Sequence, residues 1–323
     1  MKNNYWRNSL VLAGLCGVAL TSVAAPAKRT DLPSDPAVVV HIDIDALLAT
    51  SIGQFITGEL DKPEVKDKLA AMQAIVGVDV RTQLHGVSFY STSTRQEDGI
   101  LIVYADIKPD NLVTLAKGAK EYQDFEHKGH TIHSWIDDRN AFGASGSGRK
   151  YAAIQGSRLI FGQSQASVAA ALDVIDGGAN LSTSKNYPSF GRGKTSFIQA
   201  AANKLDLGGN NPQAEMLKMA KSFQFEVSES GANIIAAVAL TANDEDAASN
   251  ITSVAQGLLG LVKMQKDPQA AKFTEALSIK QEGTVATATF KMASADLIEM
   301  AKSAGDHKPR KRAQSKDKET KDN

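Results

Sequence analysis

The sequence predicts an α+β protein built by internal duplication of strand–turn–strand–helix units, with antiparallel sheets covered by helices. Three observations predict this fold. Short apolar runs come in pairs joined by a turn with a glycine, an amphipathic segment of helical spacing follows each pair, and this order occurs four times. Strands joined by such short turns are antiparallel neighbours, which argues against a doubly wound parallel sheet.

Two of the four units fall in the first half of the body, residues 38–176. An apolar strand is predicted over 38–44, and Asp45 is expected to cap the helix that follows it. The paired strands of the two units are predicted at 87–90, 100–104, 151–154 and 159–161. The later helices of this half are predicted to begin at or near Pro63, Pro109 and Ser164.

The other two units fall in the second half, residues 196–304. Residues 197–205 and 214–220 have a helical pattern and precede them. The paired strands are predicted at 223–227, 234–240, 277–279 and 285–292, with helices capped by Asn243 and Ser294. The repeated plan predicts two α+β halves, each an antiparallel sheet with helices on one face.

Residues 1–24 have the three parts of a secretory signal. Lys2 and Arg7 form a basic start, an apolar run extends over 10–20, and Ser22-Val23-Ala24 suits cleavage after Ala24. We therefore expect a periplasmic or secreted protein. The apolar run is short for a membrane span, so no integral span is expected after cleavage, and an uncleaved anchor is the alternative. Lipidation of Cys16 is disfavoured by the bulky Leu15 before it.

Three further segments are predicted to lie outside the folded halves. Residues 25–37 and 177–195 are interpreted as linkers, and residues 305–323 as a disordered basic tail. The tail has seven basic and four acidic residues, whereas the body over 25–304 has 27 basic and 32 acidic residues. A body with a net charge of −5 makes nucleic acid an unfavourable partner. The tail could make weak contact with an anionic surface.

A candidate metal site is formed by three closely spaced histidines, His127, His130 and His133. On a helix this spacing would place two imidazoles on one face, where they could bind zinc. The surrounding Thr131-Ile132 and Trp135-Ile136 favour a strand instead, and alternation then sends His130 and His133 to opposite sides. Because Cys16 is the only cysteine, a cysteine-ligated metal or disulfide is not expected in the mature chain, and no cofactor is predicted.

Two other polar patterns are candidate sites of chemistry. His41, Asp43 and Asp45 alternate with apolar residues, so they could line one face of a strand, with a solvated face as the alternative. The segment 191–195 ends like a phosphate-binding loop, but Pro188 stands where that loop requires a glycine. Neither pattern makes a complete catalytic arrangement.

Three segments carry a resemblance to a known group of proteins. The opening strand and helix start over 39–48, the turn at Asp98-Gly99 and the helix over 169–175 resemble a family of uncharacterised exported bacterial proteins. That family has no assigned activity, so the resemblance implies export and architecture only.

These observations favour a non-enzymatic binding or scaffolding protein of the cell envelope, whose partner is an unidentified protein or envelope component. The alternative is an exported metal-dependent hydrolase that uses His127, His130 and His133.

Overall fold

The computed structural model describes residues 26–93, 98–137, 148–185, 187, 190, 196–203, 218–264 and 268–306. In these residues twelve strands form one antiparallel sheet, flanked by eight α-helices, which confirms the α+β class and the antiparallel pairing. The predicted signal, the phosphate-loop-like segment 191–195 and the tail beyond residue 306 lie outside the described residues. In the described part of the chain, no helix is both long and apolar enough to cross a bilayer.

The strands agree closely with the predicted pairs. They are β1 (Val38–Asp43), β2 (Leu84–Ser91), β3 (Gly99–Ala105), β4 (Gln123–His127), β5 (His130–Asp137), β6 (Gly148–Gln155), β7 (Arg158–Gly162), β8 (Ser196–Ala202), β9 (Ala220–Ser230), β10 (Asn233–Ala242), β11 (Leu277–Glu282) and β12 (Val285–Ala293). Gly156, Gly231 and Gly283 have positive φ angles of 58°, 60° and 55° in the tight turns between paired strands. That conformation suits glycine, which lacks a Cβ.

Helices connect the strands and begin where side chains or prolines satisfy their first turns. They are α1 (Ile44–Leu48), α2 (Ser51–Leu60), α3 (Pro63–Val76), α4 (Pro109–Lys117), α5 (Gln165–Ile175), α6 (Glu245–Lys263), α7 (Pro268–Glu275) and α8 (Ser294–Asp306). Ser164 caps α5 as predicted. The cap of α1 is Asp43 rather than Asp45, and the cap of α6 is Asp244 rather than Asn243.

The order of strands is β11-β12-β10-β9-β8-β1-β2-β3-β7-β6-β5-β4, and β1 and β8 pair at the centre. Reading outward from this pair, β1-β2-β3-β7-β6 on one side corresponds to β8-β9-β10-β12-β11 on the other. The hairpin β4–β5 extends the first side only. The two predicted sheets are therefore a single continuous sheet.

The two faces of this sheet differ in what covers them. We call the face that carries Val39, Ile102 and Ile160 the lower face, and the face that carries Val40, Phe89 and Phe161 the upper face. In the first half the lower face is a closed core under α5. In the second half the same face is polar, because its rows continue through Gln224, Thr287, Lys280, Glu226, Thr289 and Ser278.

Helices lie on both faces, not on one as predicted. Helix α5 packs on the lower face, where Val168 lies against Gly162. Helix α4 lies over the upper face of β5–β7, and Phe273 of α7 contacts Phe290 on the upper face of β12 with ring centroids 4.9 Å apart.

The predicted linkers are packed where the structure describes them. In the first, Leu32 is fully buried and the carboxylate of Asp31 accepts hydrogen bonds of 2.6 and 3.1 Å from Arg158. The Arg29 guanidinium donates to the carbonyl oxygens of residues in the second predicted linker: Leu181, Tyr187 and Phe190. The two segments bind each other below the sheet, so they belong to the core rather than to solvent.

The prediction of a helix over 197–205 is wrong for the part that the structure describes. Residues 196–202 form β8, which pairs with both β1 and β9. The run of alanines over 200–202 has no alternation of apolar and polar residues, so the sequence alone does not distinguish this strand from a helix.

Candidate functional site

The three predicted metal ligands do not converge. His127 and His130 are directly opposite each other on the β4–β5 hairpin, and each contacts a carboxylate at the C-terminal end of α5, where Asp173 lies in the helix and Asp176 follows it. The distances are 2.8 Å from His127 Nε2 to Asp173 Oδ1 and 2.8 Å from His130 Nε2 to Asp176 Oδ2. Lys128 and His127 hold the pKa of Asp173 below its ordinary value of 3.8, and His130 does the same for Asp176.

His133 lies on the other face of β5, as alternation predicted. Its Nδ1 is 2.9 Å from the hydroxyl of Tyr122, and the two rings are stacked with centroids 6.0 Å apart. Among the residues that the structure describes, no group of three or more His, Cys, Asp or Glu side chains is placed to hold a metal ion. His127 and His130 thus join a hairpin to a helix, and His133 belongs to a different environment.

The polar face predicted for β1 is buried rather than solvated. His41 is 1% exposed and its Nδ1 is 2.9 Å from Ser88 Oγ, while Asp43 caps α1. Asp45 instead lies 3.1 Å from His85. Burial acts to lower the pKa of His85, but its contacts with Asp45 and Asp106 outweigh that effect and raise it. These residues form contacts between strands and the start of α1. In the described structure they are not brought into one catalytic arrangement.

A groove lies on the upper face between α4 and strands β5–β7, with a volume of about 490 Å³. Its roof is the apolar side of α4, including Leu112, Leu115 and Ala116. Its floor is formed by upper-face side chains of the three strands: His133, Trp135, Ala152, Ile154, Leu159 and Phe161. The volume falls within the range of small-molecule sites, which are mostly apolar with a few polar groups.

His133 supplies a polar group to the floor of the groove. Burial lowers its pKa below the ordinary 6.5, and Lys117 acts in the same direction against Asp124 and Glu126. The imidazole is therefore favoured in its neutral form. The Tyr122 hydroxyl donates to the Asp124 carboxylate at 3.3 Å, and its oxygen lies 2.9 Å from His133 Nδ1. A neutral His133 that donates from Nδ1 to this oxygen completes both contacts and leaves Nε2 as an acceptor.

Two ring nitrogens at this end of the groove have no hydrogen-bond partner among the described residues. They are His133 Nε2 and Trp135 Nε1. Lys120 and Asp137 also line the groove, but each takes part in another interaction. The groove thus joins an apolar roof and floor to two polar ring nitrogens at one end.

Sequence reasoning missed this groove although it located several parts of it. Because His133 and Trp135 are two residues apart on β5, the alternation of side chains along a strand places both on the same face. The roof depends on α4 folding back across β5–β7, which is a contact between elements far apart in sequence. The exposed fraction of Leu115, 43%, follows from the space left beneath the helix.

The lowered pKa of His133 predicts a pH effect on stability. The folded protein disfavours protonation of this imidazole, so its contribution to the free energy of unfolding falls as the pH drops below about 6.5. Urea unfolding between pH 7 and pH 5, two values chosen around the ordinary histidine pKa of about 6.5, should show wild type losing stability relative to His133→Phe. The pKa of His85 is shifted the other way, so relative to His85→Phe wild type should gain stability over the same range. Parallel pH profiles for wild type and His133→Phe would contradict this assignment.

Comparisons with known proteins give a distant fold likeness. No family model matches the chain, and no curated protein matches it. Crystal form III of TP0453 is similar with a TM-score of 0.47 and 9% identity, covering 86% of this chain and 98% of that one. Crystal form IV gives 0.43 and 9%, covering 88% and 98%, and crystal form I gives 0.40 and 10%, covering 85% and 96%.

Proposed function

We propose that this chain is an exported, non-enzymatic binding protein whose upper-face groove takes up a small amphiphilic molecule. The observation that carries the proposal is the groove under α4, where apolar walls end at the ring nitrogens of His133 and Trp135. An apolar body fills such a space by the hydrophobic effect, and a carboxyl group can form hydrogen bonds with both nitrogens.

Export and architecture enter this proposal from the sequence. The signal-like residues 1–24 support a periplasmic or secreted location in the cell envelope, as does the resemblance to an exported bacterial family. Internal duplication is supported by the equivalent order of five strands on each side of the β1–β8 pair. The second half lacks a counterpart of the β4–β5 hairpin among its described residues. That hairpin carries His133 and Trp135, the polar residues at the end of the groove. The groove is therefore an addition to one copy of the repeated unit.

The alternative, a metal-dependent hydrolase, receives less support. It requires His127, His130 and His133 at one centre, whereas the first two contact Asp173 and Asp176 and the third faces the opposite side of the sheet. A zinc ion would have to break both histidine–aspartate pairs and still lack the third imidazole.

The chain provides its own probe for the proposed function. It has two tryptophans, Trp6 in the signal-like segment and Trp135 in the groove, so the tryptophan emission of a protein of residues 25–323 comes from Trp135 alone. We expect laurate, a carboxylate with an apolar chain, to shift this emission saturably. His133→Phe should weaken binding about 2- to 12-fold, the effect of one hydrogen bond.

His130→Phe is the matched control, because it makes the same change on the same strand but on the opposite face. It should leave the laurate affinity unchanged. An emission that laurate does not alter, or an equal loss of affinity in both variants, would overturn the proposal.

A further inference from the structure

The apolar floor of the groove continues across the sheet. Cross-strand partners on the upper face form one row that begins at His133 and contains only apolar residues thereafter. In order, these are Ala152, Phe161, Leu101, Phe89, Val40, Ala200, Phe225, Val238, Ala288 and Ile279.

A second row runs beside the first, two residues along each strand. Its members are also all apolar: Ile154, Leu159, Val103, Val87, Ile42, Ile198, Val227, Ala236, Phe290 and Leu277. Side chains two apart on a strand are separated by roughly 6.6–6.8 Å. Over β2 and β3 these rows are bordered by Ser91 and Gly99, so the apolar track is narrow there. In the second half the next row on the upper face, Ala202, Phe223, Leu240 and Ala286, is apolar as well.

The middle of this track is open although the strands that carry it are central. Phe89 is 38% exposed, and its neighbours Leu101 and Val40 are half-buried. On the lower face of the same three strands, Tyr90, Ile100 and Val39 are 3%, 1% and 0% exposed. One face of the central strands is closed and the other is not. A contiguous exposed apolar surface of this kind indicates a binding site.

The polarity along the track indicates what occupies it. The polar ring nitrogens of His133 and Trp135 lie at one end of the track, and neither row has a polar side chain beyond that end. From β5 to β1 the track crosses five strand spacings, or about 24 Å at about 4.8 Å each. A single unbranched chain with a polar group at one end matches this distribution of polarity and this width.

On this basis we infer that the ligand of the groove is a long-chain amphiphile of the fatty-acid type. Its carboxyl group contacts His133 and Trp135, and its chain runs over β6, β7, β3 and β2 toward Phe89 and Val40. This inference rests on the proposed function and adds the length and class of the ligand.

The test compares octanoate, laurate and palmitate below their critical micelle concentrations, with Trp135 emission as the readout on residues 25–323. Affinity should rise about two- to fourfold for each added methylene, because each lies on apolar side chains. Phe89→Ser alters a side chain in the middle of the track that is already partly exposed, so the fold should tolerate it. It should weaken palmitate at least fivefold and leave octanoate unchanged, because octanoate does not reach β2.

Met264→Ser is the control for unspecific adsorption, since Met264 is 77% exposed at the end of α6 and belongs to neither row. Equal affinities for octanoate and palmitate, with a saturable emission change for both, would overturn the inference and leave the proposed function standing. A loss of palmitate binding in Met264→Ser as large as in Phe89→Ser would also overturn it. Failure of all three acids to alter Trp135 emission would overturn the proposed function itself.

Discussion

A chain that begins at Pro33 will fail to fold, whereas a chain that begins at Ala25 will fold. The deletion removes Leu32 from the core, the Arg29 contacts with the segment 181–190, and the carboxylate that neutralises Arg158. Loss of a buried leucine side chain costs about 2–5 kcal/mol, and loss of one partner of a buried ion pair about 3–5 kcal/mol. Together these approach the whole stability of a typical domain, about 5–15 kcal/mol.

Circular dichroism and thermal unfolding of the two chains provide the measurement. Truncation after Asp306 is the control at the other end. Residues 307–323 are almost devoid of apolar residues, so their removal should leave the melting temperature unchanged. A cooperative transition in the chain that begins at Pro33, at the melting temperature of the longer chain, would show that the segment contributes nothing to the core.

The contribution of the Asp31–Arg158 ion pair to stability can be separated from that of the apolar contacts of this segment. Asp31→Ala leaves the Arg158 guanidinium without its partner and should cost more stability than Asp31→Ala combined with Arg158→Met. The double variant removes both charges and retains an apolar side chain in their place. The free energies of unfolding of the two variants, measured in urea, distinguish the cost of an unpaired buried charge from the cost of lost packing.

A single methyl group added at Gly53 should destabilise the protein strongly. A Cβ built at this position would lie 2.0 Å from the carbonyl oxygen of Leu47 and 2.5 Å from the Cα of Leu48. Both atoms belong to the backbone of α1, so no side-chain rotation can relieve the overlap. Gly53→Ala must displace α1 from α2, at a cost of at least about 1–3 kcal/mol.

Gly58 in the same helix provides the matched control, because a Cβ there meets no atom within 4 Å. Gly58→Ala should stabilise the protein by roughly 0.5–1 kcal/mol, since alanine restricts the unfolded chain and favours the helix. Chemical denaturation should therefore give opposite signs for the same substitution five residues apart. Equal effects would mean that α1 and α2 do not pack as described.

Local elements could be predicted where their cause is local. Tight turns require a residue such as Gly156, Gly231 or Gly283 at positive φ, and the helix that follows β7 requires a cap such as Ser164. These requirements are visible in the sequence within a few residues of the element. The paired strands and their helices were therefore predicted with small errors at the ends.

Features that depend on distant partners could not be predicted in the same way. Residues 196–202 are rich in alanine and resemble a helix, and only the presence of β1 and β9 on both edges makes them a strand. The packed state of Arg29 depends on carbonyl groups more than 150 positions away. For the groove, alternation along β5 separated His133 from His130 correctly, but its roof required knowledge of where α4 packs.

The pairing of β1 with β8 has a consequence for how the chain reaches this structure. Val40 and Ala200 are adjacent in the sheet but 160 positions apart in the sequence. A polypeptide made from its N-terminus onward can pair β1 with β2 early. The other edge of β1 has no partner until β8 has been made, and β8 ends at residue 202 of 323. Closure of such a long loop is slow, and proteins rich in distant contacts fold slowly. During that interval an unpaired apolar strand is available for mispairing with another copy. The β1–β8 pair thus has the longest loop to close among the described strand pairs, and its strands are the part most exposed to aggregation on the way.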